Sequence, residues 1–259
     1  MGLLLKAGIS IDLIYSAVIA FITIALFIII INSTTPLKNI LPNYSLQMAG
    51  LIGNTSFLGI PIAIALLPTD TINFTIGFDL GTTMFSWIFG PYLLQTTNQN
   101  DAFLNLKKLL LSLINSPASR GIIGVSIVYL FGLENIMENF LWIPARFVIF
   151  VAIIAVGARL GIIIKSKEIK YKLNENIEYS LLLKLFVLPA FIYIVCRILN
   201  FEKIGTTALV LQSATPSAIS TVLLAEAYKQ QRELAAKALL ITTILSIATI
   251  PIIFLLIKY

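Results

Sequence analysis

Runs of about 20 apolar residues, each long enough to cross a hydrocarbon core of roughly 30 Å, recur along this chain from Ile9 to Ile257. Lipid offers no hydrogen bonds, so every backbone N–H and C=O in such a run must be satisfied internally, and the runs fold as membrane-spanning helices. Of the 259 residues 58% are hydrophobic and only 12% charged, with a mean hydropathy of +0.97. That leaves far too little polar surface for a soluble domain. The whole chain therefore reads as membrane domain, an all-α polytopic protein with no soluble module attached.

The pattern places about eight transmembrane helices, at roughly 9–31, 46–68, 71–95, 118–132, 139–161, 178–199, 205–227 and 236–257. Pro117 suits the start of the fourth and Gly132 its end. The first run, from Ile9 to Ile31, is too long for a signal-peptide core and has no small-residue cleavage site after it, so it is a retained helix. Between the third and fourth, Ala102 to Leu113 is amphipathic, with Lys107 and Lys108 on its polar side, and suits the membrane surface.

Basic residues lie in short loops rather than on one patch, so the net charge of +6 reports orientation in the membrane, not nucleic-acid binding. Lys38, Lys107, Lys108, Arg120, Arg159, Lys165, Lys167, Lys170, Lys172, Lys229, Arg232 and Lys237 fall on one side. Lys6, Arg146, Arg197, Lys203 and Lys258 fall opposite. The first side is cytoplasmic, and with eight helices both termini face outward.

Two helices are not simple spans. The second contains Gly53-Asn54-Thr55-Ser56-Phe57-Leu58-Gly59-Ile60-Pro61, and the seventh contains Gln212-Ser213-Ala214-Thr215-Pro216-Ser217-Ala218-Ile219-Ser220. Each proline removes a backbone donor and should kink or break its helix near mid-membrane. Paired interruptions in corresponding halves of a chain point to a carrier site at the midplane.

These motifs resemble the auxin efflux carrier family, with its bacterial malate or malonate permease-like members. Gly53-Asn54-Thr55 with Gly59-Ile60-Pro61 carries the resemblance in the first half. In the second it is carried in order by Lys184-Leu185 with Leu188-Pro189, Gln212 to Ser217, Ala225-Glu226-Ala227-Tyr228, and Thr242-Thr243 to Ile250-Pro251. The resemblance implies two inverted five-helix repeats, each with a broken crossover helix as its fourth member, the two crossing near the substrate site. Counted back from Pro61, the broken helix here is only the second. The expected organisation is thus an incomplete N-terminal repeat of three helices (1–95), a cytoplasmic connector with the amphipathic stretch (96–117) and a C-terminal repeat of five helices (118–259). Two missing helices make a truncated, transport-inactive remnant or a structural membrane subunit the alternative to an active carrier, and a homodimer would be one way to complete the fold.

A broken helix presents unpaired amides at the start of its second half, where partial positive charge suits a carboxylate. The half-helices near Gly59, Pro61 and Pro216 would supply these amides, with Asn54, Ser213, Thr215 and Ser217 adding side-chain hydrogen bonds. Ser and Thr hydroxyls in membrane helices also bond to their own backbone, whereas the Asn54 amide needs several partners away from water. Asp79, in Gly77-Phe78-Asp79-Leu80-Gly81, is a candidate for proton coupling unless it snorkels outward or pairs with Arg146. Lys184 would balance an anionic substrate or form a structural ion pair.

Enzyme chemistry finds little support. The chain has no histidine, hence no imidazole relay, no such base for a serine-type intramembrane protease and a poor ligand set for zinc. Asp79 has no second membrane aspartate to share a proton with, and the lone Cys196 forms no intramolecular disulfide. A nucleotide-binding Gly-rich loop is also lacking. A channel would not need matched broken helices. The sequence thus predicts a secondary carrier, without cofactor or metal, that moves a small organic anion across a bacterial-type cytoplasmic membrane, driven by proton motive force.

Overall fold

A computed structural model describes residues 1–95, 114, 117–165 and 176–258. The expected amphipathic stretch at 102–113 and most of the 96–117 connector lie outside these residues. The described residues are helical, apart from short links and one isolated antiparallel bridge. Ile11–Ser33, Ile177–Ile198 and Arg232–Ile257 are long and apolar enough to cross a membrane.

In chain order the helices are α1 (Gly2–Ala7), α2 (Ile11–Ser33), α3 (Thr35–Ile40), α4 (Tyr44–Leu51), α5 (Ile60–Leu66), α6 (Ile72–Gln95), α7 (Pro117–Leu130) and α8 (Glu134–Lys165). There follow α9 (Ile177–Leu182), α10 (Leu188–Ile198), α11 (Lys203–Ser213), α12 (Ile219–Ala227) and α13 (Arg232–Lys258). A π turn, Thr55–Gly59, leads into α5, and a second, Leu183–Val187, joins α9 to α10 into one span. The short helices α1 and α3 were not legible as apolar runs, and α8 extends the expected 139–161 helix by a turn at each end.

The two proline motifs do break their helices, but the breaks do not both fall at proline. Pro216 lies within the second gap, residues 214–218. The first gap is residues 52–54, and Pro61 lies beyond it in α5, directly after the π turn that runs into that helix. Ile52 and Ala218 are extended, and the two gaps lie side by side with Gly53 and Ser217 paired antiparallel.

Close packing fixes the helix that flanks this crossing. A Cβ on Gly77 would collide with the Leu13 carbonyl, and one on Gly81 with that of Ala17, so α6 lies backbone to backbone against α2. Phe21, Phe85 and Phe89 fill the space beyond, with ring centroids 5.3 to 5.8 Å apart. The broken helices form the interior: every residue from Gly205 to Ser213 in α11 is buried, as is every residue from Ser45 to Leu51 in α4. The periphery is apolar and exposed, with Phe140, Ile143 and Phe147 of α8 and Ile247 and Leu256 of α13 each at least 65% accessible. Such surfaces on so apolar a chain face lipid.

Candidate functional site

At the crossing the two gaps satisfy each other. Asn54 N–H donates to the Pro216 carbonyl at 2.7 Å, and Ala218 N–H donates to that of Ile52 at 2.9 Å. Ser217 adds an Oγ–H bond to the Ala49 carbonyl (2.6 Å), while its N–H reaches Thr242 Oγ1 (3.1 Å). Polar backbone released by the breaks is thus paired inside protein, which is what makes non-helical chain tolerable at this depth. Pro216 starts one break, and the neighbouring chain holds it open.

Helix polarity gives the crossing two unlike sides. α4 and α11 arrive with their carbonyl ends, and Lys184 meets them: its Nζ donates to the Ser213 carbonyl at 2.6 Å, and a Cβ on Gly53 would come within 2.9 Å of it. Lys184 is 1% exposed and forms no ion pair among the described residues, so its compensation comes from carbonyl dipoles at helix C-termini. The π turn at Thr55 and α12 at Ile219 leave the crossing with their amide ends, whose first N–H groups have no carbonyl one turn behind them.

Those two amide ends open on a shared cavity of ≈ 230 Å³, bounded by residues 52–57, residues 218–220 and, from α6, Thr82, Thr83 and Ser86. Asn54 lines it, 3% exposed, with its amide nitrogen lacking any partner among the described residues. Ser220 closes the opposite wall, its Oγ 3.5 Å from that of Ser86. Among the described residues, no charged side chain lines the cavity. Behind it stands Asp79, whose Oδ1 accepts hydrogen bonds from Thr55 Oγ1 (2.6 Å) and Ser56 Oγ (2.5 Å), both wall residues.

Of the residues singled out by sequence, Asn54 alone lines this cavity. Ser213 and Thr215 are buried with their hydroxyls on their own helix, donating to Val210 and Gln212 carbonyls at 2.7 Å, and Ser217 serves as a cross-link. Pro216 contributes a carbonyl to the crossing. Gly59 is packing: a Cβ there would collide with Gln212 Oε1. Pro61 lies in α5, outside the cavity wall. Asp79 and Lys184 are not paired with each other but flank opposite sides of the crossing; the side chain of Arg146 lies outside the described residues. Thr55, Ser56, Thr82, Thr83, Ser86 and Ser220, which the proline motifs do not single out as site residues, line the cavity beside Asn54. The spacing of Thr75, Asp79, Thr82, Thr83 and Ser86 along α6 is that of one helix face, a polar stripe readable from the sequence alone.

Buried, mutually paired helix breaks beside a cavity whose wall includes Asn54 and several hydroxyls, inside a shell of lipid-facing helices, define a multi-pass membrane transport protein. A family model described as membrane transport protein matches residues 97–254. The chain belongs to this family, the one that includes the auxin efflux carriers. An uncharacterized transporter of Methanocaldococcus jannaschii is 24% identical over 210 residues, covering 80% of this chain and 66% of that protein. The chain thus spans just under two thirds of that relative's length. Among the described residues there is no group of three or more Cys, Asp or Glu side chains that would hold a metal.

Proposed function

We propose that the cavity at the crossing binds a small organic anion, a dicarboxylate or an auxin-like weak acid, and that the chain carries it across the cytoplasmic membrane as a secondary transporter. One observation carries this reading. Two helix amide ends meet, with Asn54 and its unpartnered amide nitrogen in the wall, at a half-open cavity that among the described residues is lined by no charged side chain. Each helix end behaves as roughly half a positive charge, and a carboxylate placed there gains up to about 2 kcal/mol per end where the site is partly buried.

The surrounding architecture fits a carrier assembled from two inverted repeats, with α4–α5 and α11–α12 as the crossover helices. Asp79 is the proton-coupling group in this scheme. Lys184 is assigned instead to the carbonyl ends on the far side, where it offsets their negative potential.

Asn54→Asp tests the site with little change in size. A carboxylate at this position opposes an incoming anion, and uptake of radiolabelled malonate, malate or indole-3-acetate into proteoliposomes is expected to fall by more than about tenfold, a barrier change of only ~1.4 kcal/mol. Comparable reconstitution with unchanged uptake of all three would reject the cavity as the anion site.

A further inference from the structure

Asp79 does not line the cavity, yet it controls two groups that do. Both hydroxyl protons of Thr55 and Ser56 point at the same carboxylate oxygen, Oδ1. A hydroxyl has one proton to donate. While Asp79 is ionised, those donors are committed to it and the hydroxyls turn only lone pairs toward the cavity, which repel an anion. Protonation of Asp79 weakens its hold as an acceptor and frees both donors. The hydroxyls need only rotate about the Cβ–Oγ bond, a motion that requires no backbone change. The hydroxyl of Thr82, 3.1 Å from that of Thr55, already donates to the Asp79 backbone carbonyl, so it is no competing donor for the anion.

We propose that Thr55 and Ser56 form a donor switch: a proton from the medium goes onto the Asp79 carboxylate, the two hydroxyls pass from Asp79 to the bound anion, and one proton therefore enters the site with each anion. The inference rests on the anion-carrier reading and adds to it the stoichiometry and the residues that enforce it. Among the described residues, the Asp79 carboxylate has no side-chain partner besides these two hydroxyls. Among the described residues, the ionisable groups on elements packed against α6, among them Lys6, Asp12, Asp70, Arg120, Lys203 and Glu226, exchange no hydrogen bond or ion pair with Asp79. α2 packs on the Gly77 and Gly81 side of α6, away from Asp79, and Lys184 faces the opposite side of the crossing.

The test is the pH dependence of [14C]malonate binding to the purified full-length chain in detergent, between about pH 7 and 9, where malonate stays a dianion. One proton taken up per anion makes the wild-type dissociation constant rise roughly tenfold per pH unit. In Asp79→Asn the slope is expected to vanish. The double variant Thr55→Val/Ser56→Ala should also lose the slope while still binding malonate more weakly, and Thr55→Ser, which keeps the hydroxyl, should retain it. A double variant that binds malonate with the full wild-type slope would overturn the switch, because Asp79 would then be acting on the anion without the hydroxyls. A wild-type slope of zero with measurable binding would overturn the coupling and leave the carrier reading standing. Wild-type protein that binds no malonate at any pH overturns this proposal together with the anion site itself.

Discussion

Gly53→Ala is expected to abolish anion flux, lowering it by about a hundredfold or more, while the protein still inserts and purifies. The single added methyl would overlap Thr215 Oγ1 and lie within 2.9 Å of Lys184 Nζ, and neither group can retreat freely. Thr215 is anchored to the Gln212 carbonyl and Lys184 to that of Ser213, both at the end of α11. The gaps must therefore move apart, stretching the Asn54–Pro216 and Ala218–Ile52 bonds that hold them. Overpacking of this kind typically costs about 1–3 kcal/mol, which an intact fold can absorb, whereas displacement of a binding geometry by about 1 Å can cost a hundredfold in rate. Gly157, with open space around it, is the control: Gly157→Ala should transport as the wild type does. Flux in proteoliposomes together with the thermal midpoint of the purified variants separates the two costs. Wild-type flux in Gly53→Ala would mean that the crossing is looser than its hydrogen bonds indicate.

Lys184→Met should split stability from function. A buried ammonium costs several kcal/mol to desolvate, against about 1–3 kcal/mol for leaving the Ser213 carbonyl without its donor, so replacement by an apolar chain of similar length leaves stability unchanged or raised. Transport has the opposite expectation. Gly53 lines the cavity and Lys184 lies against Gly53, so the cation contributes to the potential an anion meets there. At a separation on the order of 10 Å and an effective dielectric of about 20, one charge is worth roughly 1.5 kcal/mol, or about tenfold in anion affinity. A raised KM with an unchanged thermal midpoint is the predicted signature. A large fall in the midpoint would instead make Lys184 a structural ligand of the α11 carbonyl end.

The sequence made the membrane class plain because hydrophobic length is a one-dimensional property. The broken helices were equally legible, since proline, glycine and asparagine in apolar runs have few other uses. The site was harder to place. Pro61 marks the wrong end of its motif: it lies in α5 directly after a π turn, and the true gap, seven residues earlier, is held by bonds to Pro216 and Ala218 that no local pattern announces. Ser213, Thr215 and Ser217 could not be told from lining residues, because whether a hydroxyl serves its own helix or a ligand depends on rotamers and neighbours. Lys184 and Asp79 were recognisable as costly charges in apolar segments, but their assignment to opposite helix polarities needed the crossing itself. The stripe from Thr75 to Ser86 places polar residues at helical period around Asp79, and that period is legible in the sequence.

Counterflow is the most direct measurement of whether this crossing is a carrier site. Proteoliposomes holding the full chain and loaded with excess unlabelled malonate, malate or indole-3-acetate would be diluted into a trace of the same labelled anion. A carrier exchanges label for cargo one molecule at a time, so transient label accumulation above equilibrium, saturable with external anion and absent from protein-free vesicles, is the predicted result for at least one of the three. Label that merely equilibrates at the rate of protein-free vesicles, for all three anions, would contradict an organic-anion carrier and favour a structural role for the chain.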